Sequence, residues 1–331
     1  MKAVWYERQG PAREVLVFGE LPTPEPGPGE VLVRLHASGV NPSDCNRRAG
    51  RGHPAMEFPR IVPDSDGAGV VDAVGPGAPA ALLGRRVWLY NGQRGRALGT
   101  AAEYIALDAD LVSPLPDGVD FAAGATLGIP CMTAHVCLFA DGEIRDRNVL
   151  VTGGAGAVGH YAIQLAGWRG ARVIATVSSE AKAAHARAAG ADAVIDYRTT
   201  PVAERVLELT GGRGVDRIVE VDFGGNLAET VRMIAPNGVV AAYASRGREE
   251  PPLPFYALMR KCVTLRPLLL PATRPEARRQ AQVDIGRWLA EGRRLHAIAA
   301  AFPLARTVDA HEMVERGGKL GTVVVRCAPV S

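Results

Sequence analysis

The pattern of apolar and polar positions changes character about a third of the way along the chain. Before residue 121 the apolar residues come in short runs cut by proline and glycine, which predicts strands at 1–7, 15–18, 30–37, 69–74, 85–90 and 101–107. This is the spacing of a β-rich, barrel-like domain. After the Pro- and Gly-marked stretch 111–118, segments of helical period alternate with apolar runs: helices at 121–139, 159–168, 180–189, 202–210 and 227–234, strands at 149–152, 172–177, 193–196, 215–221, 238–244 and 263–270. The alternation predicts an α/β architecture with a doubly wound parallel sheet of six strands. Past Pro271 the pattern predicts a long helix at 275–291, a helix at 308–316 and a closing strand at 321–326. The chain is therefore expected to return to its first domain, giving boundaries at 1–121 completed by 271–331, with 122–270 as the dinucleotide-binding domain.

Composition narrows the class without naming a function. With 331 residues, 47% hydrophobic and 22% charged, the chain has the make-up of a globular protein of about two domains. No stretch reads as a membrane span, and the opening residues lack the basic start, apolar middle and cleavage site of a signal peptide, so a cytoplasmic protein is expected. A net charge of +3 with scattered arginines gives no argument for a nucleic-acid partner. The five cysteines have no C-x-x-C spacing, which argues against a disulfide framework or a zinc knuckle.

One stretch carries chemistry. The apolar run 149–152 feeds Gly153-Gly154-Ala155-Gly156-Ala157-Val158-Gly159 and then a helix, and Gly154, Gly156 and Gly159 fit G-x-G-x-x-G. In that arrangement glycines permit a tight turn and a close backbone approach to pyrophosphate, which faces the helix N-terminus. A dinucleotide fold that prefers NAD usually carries an acid about 20 residues on, at the tip of the second strand. Here the second strand ends in Ser178-Ser179, with Lys182 one helical turn later. Donors and a cation suit the 2′-phosphate of NADP(H); Glu180 is the dissenting residue.

These motifs, with Ala37-Ser38-Gly39-Val40-Asn41-Pro42-Ser43-Asp44, Pro63-Asp64-Ser65-Asp66-Gly67-Ala68-Gly69, the run 125–134 and Ser245-Arg246-Gly247, occur in an order that resembles the zinc-free, zeta-crystallin-like quinone oxidoreductases of the medium-chain dehydrogenase/reductase superfamily. The resemblance runs from end to end. It implies a GroES-like β-barrel domain beside a Rossmann domain, and a homodimer paired through 263–270. It also implies cofactor contacts from Asn41, Thr133, Tyr197 and Lys319, and catalytic-loop roles for Asn41 and Asp44, while Asn226 and Ser245 follow the fourth and fifth strands of the parallel sheet, where loops at the carboxyl edge can touch a cofactor or cap a helix or turn. Asn41 and Ser65 stand where zinc-dependent relatives have a Cys and a His, so no metal is expected.

Without a Lewis acid, the expected chemistry is hydride transfer from NADPH to a small electron-accepting molecule, a quinone or the β-carbon of an α,β-unsaturated carbonyl. Two rival readings stand beside it. One is an enoyl or alkenal reductase of a biosynthetic pathway; the other is a non-catalytic NADPH-binding structural, sensor or nucleic-acid-binding protein. The resemblance is weakest in the loop 45–56, where Asn46 and Gly52 or His53 replace the aromatic residues usual beside a flat quinone.

Overall fold

The computed structural model describes residues 1–52, 55–292 and 294–327. The chain divides into two compact units, one of Met1–Ile129 with Leu289–Ser331 and one of Pro130–Trp288.

In the first unit, Glu30–Val40 is the central strand of a seven-stranded sheet. It pairs antiparallel with Asp66–Val74, with Tyr104–Asp108 and with the closing strand Thr322–Arg326, where Val323 sits opposite Val40 and Val325 opposite Ser38. Val31, Val33, Leu35, Ile105, Leu107, Val323 and Val325 fill the core beneath it. The last strand thus completes the first unit's sheet. Residues 12–15, assigned in part to a strand by pattern, instead form a short helix after Pro11, whose fixed φ suits a helix start. The strand that follows, Val17–Glu20, pairs with Lys2–Trp5.

The helix expected at 121–139 is broken. Phe121–Gly124 is one short helix and Met132–Phe139 another, with an irregular π-type turn at Leu127–Cys131 between them. Burial of Asp66 is the cause: its carboxylate accepts the Ile129 N–H at 2.9 Å, and a Cβ at Gly128 would collide with that carboxylate. Pro130 then removes a further helical donor.

The second unit is a parallel sheet of Asn148–Val151 (β1), Arg172–Val177 (β2), Ala193–Asp196 (β3), Val215–Glu220 (β4), Ile234–Ala242 (β5) and Thr264–Pro267 (β6). Its order is β3-β2-β1-β4-β5-β6, the doubly wound dinucleotide-binding order with the switch point at β1 and β4. Residues of β1 are all buried, as the continuous apolar run requires. Helices of this unit include Met132–Phe139 (α1), Ala157–Trp168 (α2), Glu180–Ala188 (α3), Val202–Leu209 (α4) and Phe223–Met233 (α5). α5 begins four residues before the expected 227 because Gly224 and Gly225, poor helix formers, are needed there for space. A Cβ on Gly224 would collide with the Arg248 carbonyl and lie 2.8 Å from Ser245 Oγ.

Candidate active site

Between β1 and α2 the chain turns tightly at Gly153, whose φ of 65° lies in the left-handed region. A Cβ on Gly154 would lie 2.9 Å from Ala175 Cβ of β2, so this residue must be glycine for strand and turn to pack. A Cβ on Gly159 would overlap the Gly153 carbonyl oxygen and lie 2.9 Å from Gly154 Cα. Gly156 is the N-cap of α2 and has no side chain to cap it. The N–H groups of Ala157, Val158 and Gly159 open the helix without intrahelical acceptors. Ala155, 4% exposed, fills the turn behind them. The result is a row of backbone donors at the positive end of a helix, which can hold an anion.

Beside this turn, at the tip of β2, Ser178 is buried and accepts a 2.8 Å hydrogen bond from Lys182 Nζ. Ser179 is the N-cap of α3, its hydroxyl accepting the Lys182 N–H. Glu180, which as an acid argued for NAD, pairs with Arg187 along the exposed side of α3 at 2.7 Å. Tyr197 follows β3 with 52% of its surface exposed and donates its backbone N–H to Val177. The structure therefore brings Ser178, Ser179, Lys182 and Tyr197 to one end of the parallel sheet with the glycine turn.

On the other side of β1 the sequence missed a hub. Glu220, at the end of β4 and fully buried, accepts from Thr152 Oγ1 at 2.8 Å, from the Asp222 N–H at 2.6 Å and from Asn226 Nδ2 at 2.8 Å, all on one carboxylate oxygen. Burial pushes its pKa up against these donors. Asn226 is thereby turned toward Glu220. Ser245 Oγ accepts the Gly224 N–H at 2.9 Å and donates to the Arg248 carbonyl, so it ties the loop after β5 to the start of α5. Thr133, 4% exposed, lies in α1.

In the first unit, Asn41 caps the helix Pro42–Ala49, and the N–H of Asn41 donates to Asp44 Oδ2 at 2.9 Å. Ser65 Oγ donates to the other Asp44 oxygen at 2.7 Å. Burial and the nearby Asp64 charge raise the Asp44 pKa to about 6. Asn41 Nδ2 donates to Asp66 Oδ2 at 2.7 Å, and burial raises the Asp66 pKa well above the usual carboxylate range. Beneath them lies a second buried group: His311 Nε2 is 3.0 Å from Asp64 Oδ1, and His311 Nδ1 is 3.5 Å from Cys45 Sγ. Lys319 donates to the Gly321 carbonyl at 2.6 Å, its pKa lowered by burial. His53 lies outside the described residues.

Comparison with known proteins fits this arrangement from both ends of the chain. Residues 27–117 match the family model "Alcohol dehydrogenase GroES-like domain" and residues 157–282 the model "Zinc-binding dehydrogenase". A rat quinone oxidoreductase is 31% identical over 331 residues, covering 97% of this chain and 95% of its own length. The chain belongs to the quinone oxidoreductase branch of the medium-chain dehydrogenase/reductase superfamily. A 2-haloacrylate reductase from a Burkholderia species is 35% identical over 247 residues, 73% of this chain and 72% of that protein. A solved mycobacterial structure in complex with NADPH superposes with a TM-score of 0.85 at 32% identity, over 98% of this chain and all of that one.

Asn41 and Asp44 stand in a setting that the sequence motif did not disclose. Asp66 and His311 complete it, and neither was singled out from sequence. A signal for Asp66 was present: an acid inside an otherwise small and apolar strand start, Asp66-Gly67-Ala68-Gly69, must be partnered if buried. For His311, one histidine on a helix 247 residues from its partner, there was none.

Proposed function

We propose that this chain is an NADPH-dependent oxidoreductase that reduces a quinone or the carbon–carbon double bond of an activated unsaturated carbonyl, with no metal in the step. The observation that carries the reading is the glycine turn together with the Ser178–Lys182 pair. Backbone donors at Ala157–Gly159, presented by the glycine turn, fit a pyrophosphate, and an ammonium held on a buried hydroxyl at the tip of β2 fits a 2′-phosphate. The NADPH-bound neighbour and the relatives named for quinone and 2-haloacrylate reduction support it. Bound at this turn, NADPH supplies a hydride. Ala155, Ala157 and Val158 line the turn, Tyr197, Thr133, Asn226, Ser245 and Lys319 serve the cofactor, and Asn41 with Asp44 serves the reacting end.

The metal-free assignment rests on the donors themselves. Asn41 spends its Nδ2 on Asp66 and Ser65 spends its hydroxyl on Asp44, where a zinc site would need a thiolate and an imidazole. An activated alkene as acceptor suits the acceptor loop, which lacks aromatic residues at Asn46 and Gly52. Oxidation of NADPH followed across a panel of quinones and 2-substituted acrylates tests the whole reading. Turnover at background with every acceptor, while NADPH still raises the melting temperature, would overturn it.

Lys182→Ala is expected to weaken NADPH binding by roughly 10-fold and NADH binding by less than about 2-fold, because only the 2′-phosphate loses a charged partner. Dissociation constants for both cofactors, measured by titration calorimetry, check this. An equal loss for the two would mean that Lys182 acts only on α3.

We further assign a homodimer paired along β6, an edge strand of the parallel sheet. Phe255 (60% exposed), Tyr256 (66%) and Leu269 (62%) flank that edge, an apolar surface that pairing would cover. Sedimentation at the mass of one chain would rule the dimer out. Among the described residues no helix is long and apolar enough to cross a membrane, and the five cysteines are free, which suits the reducing cytoplasm we assign.

A further inference from the structure

The geometry points to Asp66 as the positioning residue that sets the orientation of the Asn41 side-chain amide for hydride transfer. This rests on the role given to Asn41 above. Asp66 has no exposed surface, and each of its three hydrogen bonds points to one task. Both oxygens accept the Ile129 N–H at 2.9 Å, which fixes the plane of the carboxylate from the broken helical segment. Oδ2 then accepts Asn41 Nδ2 at 2.7 Å, the shortest of the three.

Space as well as hydrogen bonding holds the carboxylate in place. Gly128 has no room for a Cβ against Asp66, and a Cβ on Gly39, in the neighbouring strand, would lie 3.3 Å from Asp66 Cβ and collide with the Ala125 carbonyl. The carboxylate cannot rotate. Asn41 is fixed from its other end too, since its backbone N–H is bound to Asp44. Because Nδ2 of Asn41 is the group bonded to Oδ2 of Asp66, the carboxyl holds the nitrogen end of the amide and turns Oδ1 of Asn41 the other way. An alanine at 66 would leave the amide free to flip, and an asparagine could present either end to it.

The distinction from a merely structural buried acid is that Asp66 must act through Asn41. Three variants and three measurements decide it: Asp66→Asn, Asn41→Ala and the double variant, each assayed for kcat, for KM of the acceptor and for the NADPH dissociation constant. We expect Asp66→Asn to lower kcat by roughly 10-fold or more with NADPH affinity unchanged, and to lower it by less than about 2-fold further once Asn41 is alanine. An equal fold-loss from Asp66→Asn in the presence and absence of Asn41 would overturn the proposal while leaving Asn41 its role. Wild-type kcat in Asn41→Ala would remove both. Should Asp66→Asn fail to fold, Asp66→Ser, which keeps a hydroxyl oxygen for Asn41 Nδ2, carries the same cycle.

Discussion

A Gly159→Val protein is expected to lose at least about 100-fold in NADPH affinity, or roughly 2.7 kcal/mol, while both units remain folded. A Cβ at this position would overlap the Gly153 carbonyl oxygen and lie 2.9 Å from Gly154 Cα, so the added methyls force the turn and the first turn of α2 apart. Those are the two elements whose backbone donors would have to converge on the pyrophosphate. The right control lies eight residues on in the same helix. Gly167 has open space around its Cβ position, and Gly167→Ala is expected to leave NADPH binding unchanged and to stabilise α2 by about 0.5–1 kcal/mol. Fluorescence titration with NADPH reads the first effect and thermal melting the second. Wild-type affinity in Gly159→Val would show that the cofactor does not depend on this turn.

What could be read from the sequence was what repeats at short range. The apolar runs and helical periods placed all six strands of the parallel sheet, because strands buried on both faces are nearly continuous in apolar residues. The glycine turn was legible for the same reason: its spacing is local. Departures came where a distant residue intrudes. The helix at 121–139 was expected to be continuous because its residues are apolar and helix-compatible, yet Asp66, more than 60 positions earlier, claims Ile129 N–H and the space beside Gly128. Likewise Gly224 and Gly225 looked like a loop, yet the Arg248 carbonyl against Gly224 and the Asp222 carboxylate against Gly225 make glycine the residue that fits a helix there. Asn41 and Asp44 could be found through a family resemblance. Their partners Ser65, Asp66 and Asp64 were visible only as neighbours in a motif, since nothing in the order of residues says which acid faces which amide.

The buried pair of His311 and Asp64 makes the second large prediction, and it concerns pH. His311 has no exposed surface; burial by itself disfavours its charge, but the carboxylate of Asp64 and the sulfur of Cys45 outweigh that and push its pKa up to about 10. Asp64 is itself held with a φ of 72° and accepts from Ser38 Oγ at 3.3 Å. The ion pair therefore clamps the approach to Ser65 and Asp66. An imidazole whose folded pKa exceeds its unfolded value of about 6.5 contributes stability that is fully present below pH about 6.5 and is lost as pH rises through about 10. Over that window the contribution is of the order of 5 kcal/mol. Lys319, whose pKa burial lowers, contributes with the opposite sign, so the informative quantity is the difference between wild type and His311→Gln. At pH 7 the variant is expected to be less stable by roughly 3 kcal/mol, because Asp64 is left buried without its cation. The gap should then close between pH 7 and pH 10, as wild type loses what the variant never had. Urea midpoints measured at half-unit intervals give this directly. A constant gap across the window would mean that His311 is neutral in the folded protein and that Asp64 is held by hydrogen bonds alone.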